Sequence, residues 1–345
     1  MDGSVSARYP ENRSTDDLLS EGWARLPATY RIPPKAPDIA EARAYCARLA
    51  RGHYENFSVA SWFLPKRLHR HFFNVYAYCR VSDDLGDEVG DTRLSLALLE
   101  RWEEELRAMY RRLSFAGEPG PTHPVFVALA ETVQEFGIPQ HEFSNLLTAF
   151  RQDQTVSRYE SFDDLLGYCR NSANPVGHLV LYLCGYADRE RQQLSDYTCT
   201  ALQLANFWQD VELDFQKGRI YIPLEDMRRF GVAEQAIAEG KTTDGLLELM
   251  RYEVARAREW FALGLPLEAK VSPELALDIE LFTRGGQAIL NAIEGQDYDV
   301  LRRRPTISKP RKFVLLGRAL VRRVATRPNK RNPGASRGPQ AGAAR

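Results

Sequence analysis

Between residues 38 and 300 the apolar side chains recur three and four positions apart, as in Leu68, Phe72 and Val75, with few alternating β-branched runs. That period gathers them on one face of an α-helix, and it narrows the fold more than any other property of the chain. The spacing predicts helices at about 39–51, 66–90, 92–113, 123–136, 140–150, 161–170, 174–185, 189–216, 244–263, 273–295 and 310–324, punctuated by stretches such as Gly117-Glu118-Pro119-Gly120 and Gly137-Ile138-Pro139. No repeat of solenoid length occurs, and no linker-like stretch interrupts the body. The expected architecture is therefore an all-α, single-domain bundle over residues 38–325. Residues 1–37, polar and proline-containing, and the basic tail 326–345 are expected to be disordered.

Composition removes several classes. Hydrophobic residues make up 44% and charged residues 27% of the 345, ordinary values for a globular chain and far from collagen-like or wholly disordered sequences. The five cysteines, Cys46, Cys79, Cys169, Cys184 and Cys199, form no tight pair. With no charged-then-apolar leader, the expectation is a cytoplasmic protein without a disulfide framework. Apolar stretches such as Leu179 to Cys184 are far shorter than the roughly 20 residues of a membrane-spanning helix.

A formal net charge of zero conceals a division. No Asp or Glu follows Asp299, and 14 of the 46 basic residues lie beyond it, which leaves 32 basic against 46 acidic residues in 1–299. Such a tail can serve an anionic membrane, a nucleic acid or the body itself. Residues 310–324 set basic groups around an apolar helical stripe, the pattern of a helix lying on the inner face of the cytoplasmic membrane. The tail lacks the interleaved aromatics that stack single-stranded bases, so no nucleic-acid partner is expected.

Two polar constellations carry the chemistry. In the helix that contains Tyr76 to Glu88, Asp83 and Asp87 are four apart and share a face with Tyr76 and Arg80. Like charges at that spacing destabilise an isolated helix, and a divalent cation would compensate them. Roughly 125 residues later, Gln203, Asn206, Asp210 and Asp214 repeat the stripe, with Leu204, Phe207, Val211 and Phe215 on the other side. A lone pair of this kind is usually a solvated, salt-bridged face; two matching pairs favour a metal site. Mg²⁺ prefers oxygen ligands and is usually held by one or two carboxylates plus substrate phosphates, so paired motifs of this type suit ionisation of a diphosphate ester. Gly218 reads as a helix C-cap, and Lys217 and Arg219 beside it can serve either capping or phosphate contact.

The chain resembles the squalene and phytoene synthase family, the all-helical enzymes that join or rearrange isoprenyl diphosphates head to head. The likeness includes Leu64-Pro65, Tyr76 to Asp87, Tyr168-Cys169, Ser172-Ala173 with Gly177, Gln203 to Asp214, and the run from Asp214 through Gly218-Arg219 and Tyr221 to Pro223. It implies an isoprenoid-synthase bundle with a central cavity. It further implies Mg²⁺ ligation by Asp83, Asp87, Asp210 and Asp214, with Asn206 as a further ligand. Arg80, Gln203, Arg219 and Tyr298 would contact diphosphate, with Arg302, Arg303 and Arg304 nearby, and Tyr76 would line the site. Ser172, Ala173 and Gly177 would form a helix break that lets a prenyl chain pass, with ordinary close helix packing as the equal alternative. Most of Phe57, Phe72, Phe73, Phe207 and Trp208 would be plain core, some offering ring faces to a cation. His53, Cys79 and Cys169 would be packing groups.

One departure refines the reading. Where condensing members usually carry His-Ser-Lys-Ser-Phe, this chain has His53-Tyr54-Glu55-Asn56-Phe57, a carboxylate in place of a diphosphate-binding lysine. This run, Ser172 to Gly177 and Arg302 to Lys309 resemble the bacterial hopanoid branch, whose enzyme converts presqualene diphosphate to hydroxysqualene. Glu55 would then orient or deprotonate water, a salt bridge to Arg51 being its plain alternative, and Asn56 and Phe57 would line the substrate site. The implied partners are a prenyl diphosphate, presqualene or farnesyl, and a downstream squalene-forming oxidoreductase. Two readings compete with this one: a prenyltransferase that condenses two farnesyl or geranylgeranyl diphosphates, and a non-catalytic helical scaffold with a basic tail.

Overall fold

A computed structural model describes residues 14–52 and 65–306. Among these residues every regular element is helical. The helices are α1 (Thr15–Ala24), α2 (Ile39–Gly52), α3 (His69–Asp87), α4 (Thr92–Ser114), α5 (Pro124–Phe136), α6 (Gln140–Gln152), α7 (Phe162–Ser172), α8 (Asn174–Leu183), α9 (Arg189–Gln209), α10 (Val211–Gln216), α11 (Leu224–Arg229), α12 (Glu234–Ala238), α13 (Asp244–Gly264) and α14 (Pro273–Glu294). Side-chain caps start several of them, because the first N–H groups of a helix lack internal acceptors. Asp91 accepts from Arg93 and Leu94, Ser161 and Asp164 form a reciprocal capping box, and Thr243 and Ser272 cap α13 and α14. Gly137 ends α5 in the left-handed conformation, φ 62°.

Two apolar clusters fill the interior. The first joins α2, α3, α4 and α5 around Phe72, Tyr78, Leu85, Trp102 and Phe126. The second joins α7, α9, α13 and α14 around Leu204, Trp208, Leu249, Phe261 and Leu290. Each aspartate motif therefore rides on a helix whose opposite face is locked in one of the clusters.

Three expectations are corrected. Residues 14–37 are ordered: Leu18, Leu19, Trp23, Leu26 and Tyr30 pack on the first cluster, and Gly22 lies so close to Leu98 that a β-carbon would come within 2.9 Å. The polar average of that stretch hides these apolar positions. The helix expected over 189–216 breaks at Asp210, whose φ and ψ of −109° and 17° leave the helical region. Helices α11 and α12 also lie in a stretch where the spacing predicts none; each is too short to display a period. By contrast the interruption at Ala173 falls where expected, with Pro175 in the first turn of α8 unable to donate the N–H that would continue α7. Residues 53–64 and 307–345 lie outside the described ones, and with them His53, Glu55, Asn56, Phe57 and the segment 310–324. Among the described residues no helix is long and apolar enough to cross a membrane.

Candidate active site

Helix α3 carries Asp83 and Asp87 on the face opposite Tyr78, Val81 and Leu85, all buried. The aspartate between them has a different task. Asp84 is buried, accepts a 2.6 Å hydrogen bond from the Tyr30 hydroxyl and takes the Arg80 guanidinium at Nε and Nη2. Arg80 is thereby fixed, with Nη1 3.7 Å from Asp83. A cation anchored on a buried carboxylate from its own helix cannot swing away, so it presents a standing positive charge beside the first aspartate pair.

The second motif straddles the α9–α10 break. Asp210 receives a forked pair from Arg304, through Nε to one oxygen and through Nη2 to the other at 3.0 Å. Gln203 and Asn206, two turns and one turn earlier on α9, have no side-chain partner among the described residues and leave their amides available. After α10 the chain turns at Gly218, φ 80°, and the Arg219 amide returns to the Asp214 carbonyl at 2.8 Å. This turn sends Arg219 across to α3, where Nη2 reaches Asp87 at 3.2 Å and the Asp153 carbonyl at 3.3 Å. Lys217 lies 3.7 Å from the other Asp87 oxygen. The Arg219 backbone thus caps the helix end while its side chain reaches α3, so that one residue ties the two motifs together.

Behind Arg219 stands Asp153, held by the Tyr168 hydroxyl at 2.9 Å and near the Tyr221 hydroxyl at 3.5 Å. Tyr221 stacks on Phe207, ring centroids 3.9 Å apart, and Tyr159 and Tyr168 complete an aromatic wall. A pocket of about 520 Å³ opens between Asp87, Asp153, Lys217 and Arg219. Tyr30 and Asp153 carry no sequence signal because their partners are distant in the chain, and Asp84, although four residues from Arg80, lies off the Asp83–Asp87 stripe.

The electrostatics are those of crowded anions. Burial, reinforced by Asp87, pushes the Asp83 carboxyl up to about 6, although half of its side chain faces solvent. Burial and Asp210 raise Asp214 to about 7, and burial raises Asp153 to about 6. Asp83, Asp84, Asp87, Asp153, Asp210 and Asp214 face Arg80, Lys217, Arg219 and Arg304, so full ionisation leaves two negative charges uncompensated. Hard oxygen donors with that excess fit a divalent cation of the Mg²⁺ type. Among the described residues no three of these groups converge on one point.

The remaining expected residues divide. Tyr76 lies partly buried on the Asp83 face of α3, its hydroxyl raised by burial. The Ser172 hydroxyl is buried without a partner at the α7–α8 break, beside buried Ala173. Gly177 turns the other way: a β-carbon there would lie 2.3 Å from Ser195 Oγ and 2.6 Å from Cys199 Sγ, so the glycine serves close packing of α8 on α9. Tyr298 lies against Arg251, 4.9 Å from the guanidinium to the ring centre, and among the described residues touches none of the four aspartates. Phe72 and Trp208 are plain core.

Comparison with known proteins bears on the family and the fold. The family model described as squalene/phytoene synthase matches residues 34–311. The phytoene synthase of Arthrospira platensis is 29% identical over 290 residues, which cover 80% of this chain and 92% of that protein. Among solved structures, squalene synthase HpnC from Alicyclobacillus acidocaldarius is 43% identical with a TM-score of 0.70, over 80% of this chain and 98% of its own. A dehydrosqualene synthase in complex with ligand is 26% identical with a TM-score of 0.72, over 83% and 98%.

Proposed function

Because the chain belongs to the squalene/phytoene synthase family, enzymes that act on prenyl diphosphates, we propose that it converts presqualene diphosphate and water to hydroxysqualene and diphosphate. The observation that carries the choice of product is Glu55, a carboxylate where condensing members usually hold a diphosphate-binding lysine. An active site with that substitution is better suited to ionising one diphosphate than to binding two.

In this reading Asp83, Asp87, Asp210 and Asp214, with Asn206, hold Mg²⁺. When bound, Mg²⁺ supplies the positive charge that lets a diphosphate leave with the electron pair of its carbon–oxygen bond. Arg80, anchored on Asp84, and Arg219, anchored on the Asp153 carbonyl, add fixed cations on the same side. Gln203 offers an uncommitted amide to the phosphate oxygens. The rearranged carbocation would be sheltered by the side chains around Tyr76, Ser172 and Ala173. One water oxygen then bonds to the cationic carbon and Glu55 takes the released proton, with Asn56 and Phe57 lining the substrate site. The product would be reduced by a separate oxidoreductase, and the segment 310–324 would hold the enzyme against an anionic leaflet where an insoluble product can be passed on.

A second reading has its own support: the 43% identical structure is described as a squalene synthase, and relatives such as the Arthrospira platensis protein as phytoene synthases. Incubating the purified chain with Mg²⁺ and either farnesyl or presqualene diphosphate, without NADPH, separates the two by mass spectrometry. Hydroxysqualene from presqualene diphosphate alone is the expected result. Consumption of farnesyl diphosphate to a coupled product would replace the proposal with the condensing reaction.

A further inference from the structure

After α14 the chain makes a turn through Asp297 and Tyr298, both left-handed at φ 53° and 65° although neither is glycine. Such a backbone persists only where its surroundings hold it. The Gln296 amide donates to the Asp299 and Arg303 carbonyls at 2.8 and 2.9 Å, and Asp299 accepts from the Arg302 amide and from the Thr242 hydroxyl. Gln209, buried in the last turn of α9, donates to the Pro305 carbonyl at 2.5 Å and accepts from Arg304 at 3.5 Å. The result is a pinned strap that lays the Arg304 guanidinium on both oxygens of Asp210. Arg302 and Arg303 occupy the same strap without an aspartate of the site as side-chain partner, so the contact is particular to Arg304.

Both Asp210 oxygens are thereby committed to a guanidinium, and a divalent cation needs at least one of them. We propose that Arg304 is a resident counter-cation of Asp210: it neutralises and orients the bare carboxylate, must leave it for a divalent cation to enter, and so couples opening of the 295–306 strap to loading of the site. The inference rests on the metal reading above. It explains why a strap ending in three arginines is built onto the end of α9, with Gln209 holding it from the residue next to Asp210.

Binding of Mn²⁺ alone, followed by electron paramagnetic resonance on the full chain without substrate, tests it. Arg304→Gln should tighten Mn²⁺ roughly fivefold, the effect of freeing a partly exposed ion pair. Arg303→Gln removes the same charge from the same strap without touching Asp210 and should leave the affinity unchanged. Arg304→Lys, which keeps the charge but cannot fork, should give a smaller gain, and it stands in should Arg304→Gln fold poorly. Equal affinity in the wild type, Arg304→Gln and Arg304→Lys overturns the counter-cation while leaving the metal site standing. An equal gain in Arg303→Gln and Arg304→Gln overturns it as well, by reducing the effect to net charge. Failure of every form to bind Mn²⁺ removes the metal reading and this proposal together.

Discussion

Asp83 and Asp214 are held in conditions that oppose their own charge. Each is partly buried beside a second carboxylate, and each is pushed up from the ordinary aspartate value, to about 6 and about 7. A fold that raises a carboxyl this way is less stable with it ionised, so at neutral pH an uncharged isostere should relieve strain. Asp83→Asn and Asp214→Asn are therefore expected to melt at the same temperature as the wild type or higher, while turnover falls on the order of 10²–10³-fold, the usual loss when one group that stabilises developing charge is removed. Thermal melts and steady-state rates on the same samples check both halves. Near-normal turnover in either variant would withdraw that residue from the metal set. The two stripes were legible in the sequence because a helix maps a spacing of four onto one face. The groups that hold Arg80 and Arg219 were not: Tyr30 reaches Asp84 across 54 residues, and Asp153 follows a helix end where no period marks it.

Helices long enough to show two or three turns of apolar stripe were readable within a few residues, because burial of one face sets both the period and the element. Breaks were readable only where the backbone chemistry announces them. Pro175 marks the break at Ala173, whereas the break at Asp210 has no proline or glycine and coincides with tertiary ties from Arg304 and Pro305. Packing distances between helices were also invisible, and Gly177 shows the consequence. The sequence left it open between passage of a prenyl chain and close packing, and only coordinates reveal Ser195 and Cys199 against it. Gly177→Ala should cost about 1–3 kcal/mol of stability, the usual penalty for forcing a methyl group into a filled contact. Adding Ser195→Ala and Cys199→Ala removes the two atoms it would strike and should restore most of the loss. Chemical denaturation of the single and triple variants measures this. A stable single variant with an altered product profile would instead return Gly177 to the substrate cavity.

At the scale of the whole molecule, charge and packing pull on different parts. The segregation of 14 basic residues beyond Asp299 predicts that the full chain floats with anionic liposomes at low salt and less at high salt, and that a 1–306 truncation does not. Equal recovery of both would end the membrane proposal. Within the described helices, one tie joins three elements: His178 on α8 meets Glu142 of α6 at 3.0 Å and Asp196 of α9 at 2.8 Å, with His141 3.5 Å from the same glutamate. Burial opposes a charge on His178, but the hydrogen bonds it donates to Asp196 and Glu142 outweigh it and raise the imidazole to about 9. A group raised above its unfolded value near 6.5 adds stability that is complete below that pH and is lost as pH climbs through the folded value. The His178 contribution should therefore be full at pH 6 and disappear between about 6.5 and 9. Discounted for the partial exposure of Asp196, it is about 2 kcal/mol. His178→Gln keeps a hydrogen-bonding side chain without the titration. Unfolding free energies at pH 6, 7.5 and 9 should converge for the two proteins, with the gap widest at pH 6; a gap constant across that range would mean His178 acts by shape and neutral hydrogen bonding alone.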